Sequence, residues 1–265
     1  MPKKLIGSIA LASSCFLTSL GLNATILTLE GQPYEGNNLT EITDSSAPAG
    51  TGAWSASTLG NAGSFSDYWL YFDDDTSTTE YTLGNLLSVS FDTKKPLAGE
   101  QNDFFLQIYT TADGIEDGAG WYGQRVTFDP RYAANLNAPA NTWNRWSTSG
   151  TENVLAIYDS AGGSFGGSSG PTLAQLLDPS FQDDDNYSKS NVDYASEQVR
   201  GIRIATGTAW ANSFEGSIDN ISLDFGNDGL LNFDLEATQV SAPTTFGLLG
   251  IFAAFMAFSR RFSVK

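Results

Sequence analysis

The middle of the chain alternates short apolar-rich runs with polar turns, at a spacing that predicts strands rather than helices. In NLLSVSFD, Leu87, Val89 and Phe91 fall to one side and Ser88 and Ser90 to the other, the period of a half-buried strand. SDYWLYF (66–72) is apolar on both faces, as a central sandwich strand would be. Further strands are predicted at TILTLE (25–30), DFFLQIYTT (103–111), WYGQRVTF (121–128), NVLAIYD (153–159) and GIRIAT (201–206). SFEGSIDNISLDF (213–225) and LLNFDLE (230–236) close the series. Only PTLAQLLD (171–178) reads as helix: Pro171 suits the first helical position, Leu173, Leu176 and Leu177 make one apolar side, and Asp178-Pro179 stops it. The closing run contains an irregularity. Ile221, Leu223 and Phe225 share one phase and Ile218 has the other, so a bulge is predicted near Asp219-Asn220.

Many short strands, Gly-rich turns and almost no helix predict an all-β, antiparallel β-sandwich of jelly-roll-like type. SAGGSFGGSSG (160–170) and FQDDDNYSKSNVD (181–193) read as long surface loops. No internal repeat is visible.

The two ends follow a different pattern. Lys3 and Lys4 precede the apolar LIGSIALASSCFLTSLGL, and the small residue Ala24 ends it, which are the three parts of a secretory signal peptide. A retained membrane anchor is the alternative. At the other end, Phe246 to Phe258 is a continuous apolar run followed by Arg260-Arg261. As a helix its thirteen residues would cover about 20 Å, short of the ~30 Å hydrocarbon layer, with the Arg pair held on the cytoplasmic side. A buried core helix is the alternative here. The expected organisation is a signal peptide (1–24), an exported domain (25–235), a linker (236–243) and a membrane or sorting tail (244–265).

Charge and composition narrow the classes. The chain carries −17, but its end segments hold five bases and no acid, leaving 30 acids against eight bases between them, a net of −22. Such a surface repels phosphate backbones and excludes nucleic acid as a partner, while it suits divalent cations. Cys15, the single cysteine, leaves with the signal peptide, so the exported domain has no disulfide. Histidine is absent, which excludes Ser-His-Asp and Cys-His nucleophilic sites and His-ligated zinc.

The layout of the tail, VSAPTTFGLLGIFAAFMAFSRRFSVK, resembles the PEP-CTERM sorting signal: a short Pro-containing motif, a brief span, then a basic cluster. Here the motif position reads Ser241-Ala242-Pro243, followed by Thr244 and Thr245, with Ser and Ala in place of the first Pro and the Glu. Arg260 and Arg261 form the basic end. The resemblance implies an exported protein of the Gram-negative cell envelope or exopolysaccharide matrix, handed over by a membrane transpeptidase, the exosortase. It covers the last 26 residues only and implies an address, not a chemistry.

The closing strand carries a second resemblance, to jelly-roll carbohydrate-binding modules. Phe214, Asp219, Asn220, Ile221 and Leu223 match the form of their last strand, and Glu30-Gly31 their first. This implies a structural calcium held with the help of Glu30 and Asp219; exposed edge positions are the other reading of Asp219-Asn220. Asp73-Asp74-Asp75 and Asp183-Asp184-Asp185 lack the spacing of a helix-loop-helix calcium loop and read as solvated turns. Trp121 with Tyr122, and Trp143 with Trp146, stand in or beside predicted loops and could form flat platforms for sugar rings, or pack as sandwich cores do. No pair of acids is singled out for glycoside chemistry among thirty. The expectation is a non-catalytic envelope or exopolysaccharide-associated protein, with an extracellular carbohydrate-binding module as the alternative and a glycoside-active enzyme behind both.

Overall fold

The structure, a computed structural model, describes residues 24–28, 39–59, 67–71, 81–98, 100–111, 124–133, 138–159, 171–178, 180, 193–207 and 213–236. Twelve strands lie among them. They are β1 (Ala24–Thr28), β2 (Leu39–Thr43), β3 (Gly52–Ser57), β4 (Asp67–Tyr71), β5 (Ser88–Lys94) and β6 (Phe105–Thr111). The second half holds β7 (Gln124–Asp129), β8 (Trp143–Ser147), β9 (Ala156–Asp159), β10 (Gln198–Ala205), β11 (Glu215–Asp224) and β12 (Leu230–Asp234), with one short helix, α1 (Leu173–Leu177).

The strands form two sheets. In the five-stranded sheet the order is β4-β10-β6-β7-β9, antiparallel throughout. The seven-stranded sheet is organised around β11. Its first half pairs with β3, which carries β2; its second half pairs with β12, which carries β1; and along its other edge runs β5, which carries β8. Here only β1 and β12 run parallel. The chain is thus all-β, a two-sheet sandwich with little helix, as the alternating pattern predicts.

One buried cluster joins the sheets. Trp54, Val89, Phe91, Trp146, Ile218 and Phe233 face it from the larger sheet, and Leu106, Ile108, Val126, Phe128, Ile202 and Ile204 from the smaller. Each such side chain contributes about 1.5–3 kcal/mol on leaving water, which is how a domain without disulfides holds together.

The predicted bulge is present. Between Asp219 and Ser222 the register of β11 on β5 slips, and Asn220 takes a left-handed backbone (φ 53°). The extra residue lets Ile218 and Ile221 both face the core although three positions apart.

Several expectations need correction. Leu87 does not share the buried side of Val89 and Phe91: it is 64% exposed, ahead of the first strand residue, and Leu86 is buried instead. The strands β2, β3 and β8 stand where none was predicted. Pro171 lies outside the helix, because Thr172 is the cap. Its hydroxyl accepts from the Gln175 N–H while the Gln175 side chain accepts from the Thr172 N–H, a reciprocal capping box. The loops at 160–170 and 181–192 and the acidic run at 73–75 lie outside the described residues.

Candidate functional site

The edge pair β5–β8 decides what the Trp143–Trp146 cluster is. Facing residues in an antiparallel pair share a side, and the register sets Lys94 against Trp143, Asp92 against Arg145 and Ser90 against Ser147 on the outer face. Phe91 against Trp146 and Thr93 against Asn144 occupy the inner face. Trp146 is fully buried in the core, and its Nε1 donates to Thr93 Oγ1 at 2.6 Å. The expectation of Trp146 as a sugar platform is therefore corrected: three positions apart on a strand, two side chains point to opposite faces. Trp143 keeps an outward, half-buried position on the strand, while Trp121 and Tyr122 lie outside the described residues.

Around Trp143 the outer face carries a polar cluster that the sequence reading missed. Arg145 Nη1 bonds Asp92 Oδ2 at 2.6 Å and the Asn220 carbonyl at 2.8 Å, and Nη2 reaches Ser90 Oγ at 2.6 Å. Asn220, lifted by the bulge, donates through Nδ2 to the same Asp92 oxygen at 2.8 Å. Lys94 Nζ sits 5.8 Å from the centre of the Trp143 ring and pairs with Asp44 Oδ2 at 2.8 Å. Those bonds from Lys94, then the Ser46 hydroxyl and N–H, hold the Asp44 carboxyl well below the ordinary carboxylate range. A depression of about 190 Å³ opens alongside, lined in part by Asp44, Ser55, Lys94, Asn141, Glu215 and Ser217. Fixed donors and acceptors at the rim of an open hollow suit a hydroxyl-rich ligand. The signal for this cluster was the WNRWS alternation itself, which puts Trp143 and Arg145 on one face.

At the other side of the bulge, Asp219 is buried against the loop between β2 and β3. Oδ2 accepts from the Ala49 N–H at 2.9 Å and Oδ1 from the Leu235 N–H at 3.2 Å, so the carboxylate ties that loop to the end of β12. The Thr51 N–H likewise donates to Glu236 Oε1 at 2.7 Å. Burial, added to by the charge of Asp234, pushes Asp219 up to about 6 despite its N–H donors. Asp234 is pushed up by burial and by Glu236, and its Oδ1 is buried without a hydrogen-bond partner.

This donor set bears on the expected calcium. Its side chains offer oxygen, as a hard cation requires, yet both Asp219 oxygens accept backbone N–H bonds, and among the described residues no three acidic side chains converge as a ligand group. Glu30, the other expected ligand, lies outside the described residues.

No protein-family model matches the chain, and no curated protein sequence matches it. Among the described residues no helix is long and apolar enough to cross a membrane; the motif residues Ser241, Ala242 and Pro243 and the Arg260-Arg261 pair lie outside them.

Proposed function

We propose that this is an exported, non-catalytic protein of the Gram-negative cell envelope or exopolysaccharide matrix. In this reading a jelly-roll-like domain stands between a signal peptide and a PEP-CTERM-like tail that an exosortase-like transpeptidase receives. The observation that carries the reading is the tail's order of parts, Ser241-Ala242-Pro243, then thirteen apolar residues, then Arg260-Arg261. Among the described residues the sandwich supports it with a core filled by side chains. A variant ending at Ser241 should appear in the soluble exported fraction while the full chain sediments with membranes. Identical fractionation of the two would sink the proposal.

A second reading, binding of an extracellular polysaccharide, is favoured by the outward Trp143 beside the Arg145–Asp92–Asn220 cluster and the adjoining hollow. The test is a glycan array with the tail-free protein, run once with calcium and once with a chelator. Saturable binding lost in Trp143→Ala supports it. Loss in the chelator as well would favour a calcium held near Asp219, with Glu30 as its partner ligand. Absence of binding to every polysaccharide, including the cell's own, rejects this reading and leaves the structural role.

A further inference from the structure

We propose that Lys95 and Asp103 condense into an intramolecular amide that joins the two sheets. Lys95 follows β5 in the larger sheet, and Asp103 stands just before β6 in the smaller one, so their contact spans the sandwich. Nζ lies 3.0 Å from Asp103 Oδ2, with the two side chains 4% and 0% exposed. The stem of Lys95 runs past Gly216, where a Cβ would meet Lys95 Cγ at 3.3 Å and Phe214 Cζ at 2.9 Å, and Phe214 stacks edge-on against Phe104.

The hydrogen bonds set the geometry of attack. Nζ donates to the Glu100 and Asn102 carbonyls, and its third hydrogen points at Asp103 Oδ2. Transfer of that hydrogen as a proton along the contact turns an ion pair into a neutral amine and a neutral acid, with a nitrogen lone pair freed beside the carboxyl group; attack on Cγ then needs the amine to swing from Oδ2 toward the carbon. Burial pushes the Asp103 carboxyl up, toward the protonated form that the step requires. Asp129, itself raised in part by the charge of Asp103, gains by the loss of that charge. The Thr93 hydroxyl on Oδ2 and the Phe104 N–H on Oδ1, at 2.9 and 2.8 Å, hold the carboxyl still.

The step balances without a co-reactant. Nζ forms a bond to Asp103 Cγ, the bond from Cγ to the protonated oxygen breaks, and one water leaves with a hydrogen from nitrogen. Two groups fixed in contact react as if at ~10⁵–10⁸ M, which offsets the ordinary preference of an acid and an amine in water to stay separate. The product is a covalent tie in a domain whose sequence offers no cysteine pair.

The test is peptide mapping of the mature protein taken from cells. Cleavage after Lys94, Glu100 and Glu116 frees both sides of the pair, the Glu100 cut falling inside the Lys95–Asp103 loop. With the amide in place, segments 95–100 and 101–116 stay joined at the sum of their two masses less one water, and the joined pair has two amino termini, Lys95 and Gln101, which tells it from the equally heavy peptide left uncut after Glu100. In Lys95→Arg the segments should separate at their ordinary masses. Separation of the wild-type segments at ordinary masses overturns the proposal, whether or not the variant folds.

Discussion

Asp129 sits at the end of β7, its carboxyl accepting from the Arg131 N–H at 2.8 Å and the Tyr158 hydroxyl at 2.9 Å. Burial outweighs both donors and lifts it to about 6 from 3.8. The folded state therefore keeps a proton that the unfolded chain releases between those values. The resulting stabilisation is complete below pH 3.8 and is lost as pH rises through about 6. A shift of this size corresponds to roughly 2–3 kcal/mol. Melting temperatures should fall more steeply from pH 4 to pH 7 in the wild type than in Asp129→Asn, which cannot titrate; parallel curves would refute the assignment. At this scale the sequence was partly legible. Asp219 was singled out from its place in a strand pattern, whereas Arg145, Asp92 and Lys94 were not, because their partnership is made across strands 53 positions apart in the case of Asp92 and Arg145.

Strand β11 is the element on which the larger sheet depends, and its bulge divides it into a half serving β3 and a half serving β12. Asn220 meets the bulge's two requirements, a left-handed backbone and a donor for Asp92. Asn220→Gly keeps the backbone and loses the hydrogen bond, about 1 kcal/mol. Asn220→Val adds the strain of a β-branched residue at positive φ and should cost roughly 1–3 kcal/mol more. Urea denaturation of both variants checks the order; a valine variant as stable as the glycine one would remove strain from the account. The bulge could be read from the chain because two apolar phases had to meet one core. Other elements could not. GAWSAS offers few large apolar groups, and its Ala53 and Ala56 are buried through the close approach of neighbours. In WNRWS the inward Asn144 hides the alternation; its Nδ2 is satisfied by the Pro139 and Thr142 carbonyls, so a polar residue occupies a core-facing position.

For the molecule as a whole, fold class followed from local pattern, but the strand order did not, since each pairing joins segments whose own periodicity is silent about partners. Acids outnumber bases, and of the bases Lys94, Lys95 and Arg145 each hold an aspartate. The net charge of −17 makes copies of the chain repel one another, most strongly at low salt. The parallel pairing of β1 with β12 sets Ala24 beside Leu230 and Thr28 beside Asp234. Synthesis from the N-terminus makes β1 long before β12, so β1 must wait for its neighbour. Non-local pairing of this kind is slow to form. Completion of the sheet is thereby tied to the arrival of β12, and a chain halted before Leu230 leaves β1 unmatched.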